Sequence, residues 1–327
     1  MRESSIRASE VRVAVVGAGR MAAEHLRAFA AIPGVRLVGI MSRSRERAER
    51  LAREHGVQEV CDSLPELFDR TTADLVVVTV SVMSVQPVAL KCCEFPWKIL
   101  IEKPPGLYVA ETETLWKSAA ERQRDVRVAL NRQCLSATQA VLTQLASAAG
   151  TRYIKVQDQQ PYESVKLSSH PPEVLRRWMY ANSIHTLDYF RLFARGELTK
   201  VTPIVPWQPV SPGLVVAGLE FDSGDYGLYE AVWHAPGPWA VTVTVPGRRW
   251  EMRPLEQAVT QAIGGKSENL AVHAWDQEFK PGFRLQAEKA VALARGNPCD
   301  LPTLDDALGT MCLIQHIYPN QPDGHVQ

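Results

Sequence analysis

A β-branched run entering a glycine loop, Val13-Ala14-Val15-Val16-Gly17-Ala18-Gly19-Arg20-Met21-Ala22, constrains this chain more than any other stretch. The loop reads G-x-G-x-x-A, and the chain leaves it through Ala23, Leu26, Phe29 and Ala30, spaced for one face of a helix. Strand, tight turn and helix in that order open a βαβ unit that cradles a dinucleotide. Gly17 permits the turn, Gly19 lets backbone approach a pyrophosphate, and Ala22 keeps helix close to strand. The helix start, with Arg20 and Met21, then offers open N–H groups and a positive dipole end to phosphate.

The same alternation continues to residue 130. Strands are expected over 35–41, 57–61, 74–80, 98–102 and 126–130, and helices over 45–55, from Ser63, over 85–94 and over 109–122. The segment DLVVVTV is uninterrupted, as in a strand buried on both faces. Ser63-x-x-Glu66 is a capping box. In the helix 45–55, Glu46/Arg50 and Glu49/Arg53 are spaced to pair, with Ala48, Leu51 and Ala52 facing inward. This predicts an α/β, doubly wound parallel sheet in residues 1–130.

The strand at 98–102 ends in Glu102-Lys103-Pro104-Pro105. Proline fixes φ and removes a donor, so the strand stops and Lys103 is held at its carboxyl end. Ligands of open parallel sheets bind at that edge. Lys103 is there a placed charge or proton donor, or else a surface lysine that ends a strand.

After Asn131 the pattern changes. Helices are expected over 136–148, about 172–194 and 303–317, and strands over 153–159, 214–221, 226–234, 239–245 and 250–253. Asp222-Ser223-Gly224-Asp225 and Pro246-Gly247 supply turns. Residues 131–327 thus read as an α+β domain with an open-faced, mainly antiparallel sheet and helices on one face. Its aromatic strands 226–253 serve a core or an oligomer interface.

Composition narrows the function classes. Lys+Arg and Asp+Glu number 36 each, so no global field draws nucleic acid or acidic membranes. The first ten residues lack the apolar core of a signal peptide, and no run approaches the ~20 apolar residues that span a bilayer. Six scattered cysteines with no C-x-x-C suit free thiols in a reducing cytoplasm, and not zinc.

The glycine loop, Glu102-Lys103-Pro104, Asn131-Arg132, Ile184-His185-Thr186-Leu187-Asp188, Gly282-Phe283 and Leu301-Pro302-Thr303-Leu304-Asp305-Asp306-Ala307 together resemble the glucose–fructose oxidoreductase / inositol 2-dehydrogenase (Gfo/Idh/MocA) family. The resemblance spans about residues 11 to 318. It implies a Rossmann domain for NAD or NADP, followed by a substrate domain whose open sheet often makes dimers or tetramers. It implies hydride transfer at a hydroxyl or ketone of a small, carbohydrate-like ring. Lys103 would contact the reacting oxygen and the nicotinamide ribose, His185 would be the general acid/base, and Asn182 would hold substrate. Thr79, Ser81, Glu102 and Asn131 would stand on the cofactor side. Chemistry agrees: an ammonium stabilises the charge a carbonyl gains on accepting hydride, and histidine titrates near neutrality. His185 otherwise reads as a histidine at the core edge, and Asp188, one turn on, as its orienter or a surface pair.

Three segments depart from the family's pattern. The usual D-x-G-x-H is here Ala181-Asn182-Ser183-Ile184-His185, so the acid is absent. T-P-x-x-x-H is Thr79-Val80-Ser81-Val82-Met83-Ser84, and the arginine after Asn-Arg is Gln133.

NAD sites carry Asp or Glu after the second strand. Here stand Ser42-Arg43-Ser44, donors and a fork suited to a 2′-phosphate, which favours NADP over NAD. Arg43 otherwise belongs to a solvated basic face with Arg45 and Arg47. Three functions are therefore open: an NADP(H)-dependent oxidoreductase, a dinucleotide-binding scaffold or regulator with little redox activity, and a redox-assisted hydrolase or lyase. Substrate contacts are sought among Arg152, Tyr162, Arg176, Arg177, Trp178 and Trp233.

Overall fold

A computed structural model describes residues 10–319, apart from 168, 210 and 212. The polar leader over residues 1–9 lies outside them. The chain forms two compact units. One holds residues up to Pro105, Thr114–Ala129 and Phe283–Leu304; the other holds Gly106–Glu113, Leu130–Gly282 and the residues from Asp305.

In chain order the elements of the first part are β1 (Val11–Val16), α1 (Arg20–Ala30), β2 (Val35–Met41), α2 (Arg45–His55), β3 (Glu59–Cys61), α3 (Leu64–Thr71), β4 (Leu75–Val78), α4 (Val82–Cys92), β5 (Lys98–Ile101), α5 (Val109–Glu121) and β6 (Val126–Val128). The six strands make one parallel sheet in the order β3-β2-β1-β4-β5-β6. This is the doubly wound arrangement that binds ligands where strand order reverses, between β1 and β4. Leu75, Val76, Val77 and Val78 are wholly buried, as their unbroken apolar run requires.

Half of the capping box forms: Ser63 Oγ accepts the Glu66 N–H at 3.2 Å, while Glu66 reaches past the N-cap and accepts the Asp62 N–H at 2.8 Å. In α2 the ion pairs are Arg45–Glu49 and Arg50–Glu54, not the register read from the sequence, and Arg45 also reaches Asp62. Exposed pairs of this kind are screened by water and contribute little. Burial of one leucine contributes about 1.5–3 kcal/mol, so the stripe Ala48, Leu51, Ala52 holds α2 in place.

The second part comprises a 3-10 turn over Asn131–Cys134, α6 (Ser136–Leu145), β7 (Tyr153–Gln160), α7 (Tyr162–Lys166), α8 (Pro172–Arg176), α9 (Ile184–Phe193), β8 (Leu198–Val205), β9 (Leu214–Phe221), β10 (Tyr226–Trp233), β11 (Ala240–Val245), β12 (Arg248–Met252), β13 (Ala258–Ala262), β14 (Glu268–Asn269), α10 (Trp275–Glu278), α11 (Phe283–Ala294) and α12 (Leu304–Ile317). Its eight-stranded sheet runs β14-β13-β12-β11-β7-β10-β9-β8. Among the described residues of this sheet only β7 and β10 pair in parallel. Alternation buries Ile154, Val156, Asp158 and Gln160 of β7 against helices and leaves the opposite face partly exposed. Helix α9 lies close on that sheet: a Cβ at Gly227 would meet Phe190 at 2.7 Å.

The helix expected over 172–194 is not continuous. It breaks at Arg177, and Met179–Ser183 winds as a wider π-type turn before α9. Such turns re-aim side chains and recur at functional positions. Strand β8 and helix α11 were not expected from the sequence. Helix α11 belongs with the first unit, where it packs on α1 and its Arg284 donates to Ala31 O at 3.4 Å.

No helix among the described residues is long and apolar enough to cross a membrane. Cys61, Cys92, Cys93 and Cys134 are buried, Cys299 and Cys312 half-buried, and none forms a disulfide. No group of His, Cys, Asp or Glu among the described residues could hold a metal ion.

Candidate functional site

The glycine loop turns between β1 and α1. Gly17 has φ +116, and a Cβ there would meet Thr79 O and Oγ1 at 2.7 Å, so strand-end contact and backbone conformation both demand glycine. At Gly19 a Cβ would meet nothing within 4 Å, which leaves open approach for a ligand. Gly19 is also the N-cap of α1, and no side chain caps the helix. Its first N–H groups therefore point outward with no internal acceptor, as a phosphate-binding start needs.

This loop forms one wall of a cleft of ≈ 580 Å³. Gly17, Gly19, Arg20, Met21, Ser42, Arg43, Ser44, Thr79 and Ser81, all expected from the sequence, line it together. Thr79 is anchored by its N–H to Val16 O at 2.7 Å, and Ser81 begins α4 with its hydroxyl on Ser84. Ser42 Oγ accepts the Ser44 N–H at 3.3 Å, which curls the segment after β2.

The lining contains no Asp or Glu. It contains three arginines, Arg20, Arg43 and Arg47. Arg47 was assigned by the sequence reading only to the solvated face of α2. It stands in the first turn of α2, next to the segment after β2, and that position brings it to the cleft. The intervening Arg45 is spent on Glu49 and Asp62, whereas neither Arg43 nor Arg47 pairs with a carboxylate among the described residues.

Glu102 and Lys103 lie outside that lining, just beyond β5. Glu102 N–H bonds Val78 O at 2.9 Å, and its carboxylate faces His25 Nε2 at 2.8 Å, with both side chains buried. Lys103 is half-buried.

The other expected residues belong to the second unit. Asn131 is buried and donates to Pro281 O at 2.9 Å; a Cβ at Gly282 would meet Asn131 O at 2.2 Å. Asn131 thus clamps the 281–282 turn. His185 begins α9, 7% exposed, with its ring 6.2 Å from that of Trp239. The Arg132 guanidinium lies over the same indole at 5.6 Å and pairs with Glu256 at 2.6 Å. Asp188 neither orients a histidine nor sits on the surface in its observed bonds: its two oxygens take the Arg191 fork at 2.8 and 3.0 Å, and Thr310 donates to it at 3.1 Å. Position 181, where the family's acid would be, is a buried alanine.

Asn182 lies in the π-type turn and donates to Gln160 Oε1 at 3.0 Å, an oxygen that also accepts the Trp178 indole N–H at 2.8 Å. Gln160 Nε2 then faces Asp158 Oδ1 and Ser183 Oγ. Asp158 is wholly buried and also accepts from Tyr229 at 2.7 Å; burial pushes its carboxyl up, and hydrogen bonds from Ser183, Tyr229, Gln160 and Thr186 oppose that. This network was not legible in the sequence, because Asp158 and Gln160 sit at alternate positions of an ordinary amphipathic strand.

The substrate candidates are largely structural. Arg152 donates to Phe193 O and Leu145 O, Tyr162 to Leu175 O, and Trp233 is 4% exposed against Trp207. Arg177 is buried over the Tyr108 ring at 4.3 Å, and Arg176 pairs with Glu173.

Residues 11–130 match an oxidoreductase family with an NAD-binding Rossmann fold. The chain is 24% identical over 211 residues to a 4-carboxy-2-hydroxymuconate-6-semialdehyde dehydrogenase of Sphingobium sp., and the match covers 63% of this chain and 65% of that protein. It is 25% identical over 337 aligned positions to inositol 2-dehydrogenase 1 of Saccharopolyspora erythraea, covering 96% and 95% of the two. A dehydrogenase structure from Chromobacterium violaceum agrees in fold with a TM-score of 0.81, at 20% identity over 94% of each chain.

Proposed function

By its residues 11–130 the chain belongs to the Gfo/Idh/MocA family of NAD-binding oxidoreductases, and on that premise we propose that it is a dehydrogenase or reductase of a small, carbohydrate-like alcohol or ketone, with NADP(H) as its cofactor. The single observation that carries the cofactor choice is the cleft beside β2. It is lined by Arg43 and Arg47 and by no carboxylate. A 2′-phosphate needs such a fork, and a ribose 2′-hydroxyl is ordinarily held by an acid. NAD is the alternative, in keeping with the family's description.

When bound, the nicotinamide supplies or takes the hydride. The chain's own residues do the rest. The α1 N-terminus and Gly19 hold pyrophosphate. Lys103, at a strand end, stabilises negative charge on the reacting oxygen. His185 carries the proton to or from that oxygen, and Asn182 holds substrate with its amide oxygen and its second N–H, since one N–H is committed to Gln160. The exposed Tyr153, Leu214 and Tyr226 on the outer sheet face support a homodimer or homotetramer.

Turnover and thermal shift test this reading together. NADP+ should raise the melting temperature more than NAD+, and Lys103→Ala should abolish turnover on a panel of polyols and ketones. A larger shift with NAD+ overturns the cofactor choice; unchanged turnover in Lys103→Ala overturns the lysine's role. A second reading, a dinucleotide-binding protein without redox turnover, is favoured by buried Ala181 and by Asp188 being held by Arg191. Tight binding with no change in nicotinamide absorbance across the panel would establish it.

A further inference from the structure

His25 stands in the middle of α1 and is wholly buried. Its ring lies 4.8 Å from that of Phe283 and 6.4 Å from that of Phe29. Nε2 meets Glu102 Oε1 at 2.8 Å. An ionised carboxylate only accepts, so Nε2 carries the hydrogen in this contact, and the Nδ1 atom has no hydrogen-bond partner among the described residues. A donor at Nδ1 would be buried and unsatisfied, so we assign the tautomer whose N–H lies on Glu102.

Glu102 is thereby held at two points. Its backbone N–H is on Val78 O and its carboxylate is on His25. Pro104 and Pro105 stiffen the chain on the far side. Lys103 lies between these fixed points. The same helix that carries His25 begins at Gly19, the phosphate-facing end of the cleft. One buried hydrogen bond thus links the helix that faces phosphate to the residue next to Lys103.

We propose that His25 is a positioning residue: through Glu102 it sets the place of the Lys103 amine relative to α1, and hence to a dinucleotide held at the start of that helix. The proposal rests on the role given to Lys103 above. Neither His25 nor this link was expected from the glycine loop or from the Glu-Lys-Pro motif.

Lys103 reactivity tests it without a substrate. The full-length protein is treated with trinitrobenzenesulfonate, and the labelling rate of Lys103 is followed by peptide mass spectrometry, with Lys91 and Lys200 as internal references. His25→Phe keeps a ring against Phe283 and loses the donor, so Lys103 should label about threefold faster or more, the low end of couplings within one network. His25→Gln keeps an N–H donor and should restore the wild-type rate. If His25→Phe does not fold, Glu102→Leu breaks the bond from its other end and should accelerate Lys103 alike. A wild-type Lys103 rate in folded His25→Phe or Glu102→Leu, equal acceleration of the reference lysines, or no rescue by His25→Gln overturns the proposal. The labelling reads where the amine stands, not whether it serves turnover. A catalytically idle Lys103 in the Lys103→Ala assay would therefore sink that role and leave this link intact.

Discussion

Asn182 hangs from Gln160: its side-chain N–H donates to Gln160 Oε1 at 3.0 Å. The Trp178 indole shares that oxygen, so the Gln160 amide can face only one way, with Nε2 toward Asp158 and Ser183. A residue on a π-type turn is thus aimed by a side chain of the sheet beneath it. The hydrogen bonds lead on to a fully buried acid, Asp158.

That acid makes stability pH-dependent with a definite sign. Burial holds the folded Asp158 carboxyl above its ordinary value, so the unfolded chain releases this proton first as pH rises. Its contribution is full below about pH 4 and is lost as pH climbs toward the folded value. Asp158→Asn should therefore lose less stability than wild type between about pH 4 and 7. Urea unfolding of both proteins across that range checks it, since other groups cancel in the comparison. Parallel curves would refute the assignment.

Gly17 and Gly19 should separate folding from binding. Gly17→Ala places a Cβ 2.7 Å from Thr79 O at φ +116, which should cost at least about 1–3 kcal/mol in urea unfolding. Gly19→Ala meets no protein atom within 4 Å. It should keep wild-type stability yet lose most of the thermal shift given by dinucleotide, because its methyl group stands where pyrophosphate approaches. A Gly19→Ala protein that binds normally would remove pyrophosphate from the loop.

Arg47 should discriminate between cofactors. Arg47→Ala should weaken NADP+ roughly tenfold, the low end for hydrogen bonds to a charged group, because the residue is exposed. NAD+ affinity should change by less than about twofold, since no charge is lost at a hydroxyl. Calorimetric titration of both ligands decides; equal losses would make Arg47 a general phosphate contact.

Cys92 and Cys93 should be inert in the native protein. Burial pushes the Cys92 thiol up to about 12 and the Cys93 thiol up to about 11. Thiolate is the reactive form, so iodoacetamide at about pH 8 should spare both until the chain is unfolded. Rapid native alkylation at either position, seen by mass spectrometry, would contradict the burial.

The parallel sheet was readable because strands buried on both faces are written as unbroken runs, as in Leu75–Val78, and because Gly17 and Gly19 punctuate the turn. Nine cofactor positions met in one cleft for the same reason: each lies just after a strand on one edge of the sheet. Strand β8 was hidden by Pro203 and two register shifts at the sheet edge. The π-type turn was hidden because a 3.6-residue period runs through it almost undisturbed, and its cause lies on β7. Arg47 and His25 were hidden because their partners are set by tertiary packing: one faces a cleft, the other a carboxylate 77 positions away.

Helix α11 and the stretch after it bear on how the first unit comes into being. Val128 N–H bonds Pro302 O at 2.8 Å, Arg127 reaches Leu301 O at 3.0 Å, and Phe283 covers His25. During synthesis the six strands leave the ribosome long before these closing residues exist. The dinucleotide unit therefore spends the translation of some 150 intervening residues without the helix that seals its α1 face. Its completion is tied to residues 283–304, so a chain cut short before residue 283 lacks the seal over the histidine beside Glu102, however intact its glycine loop.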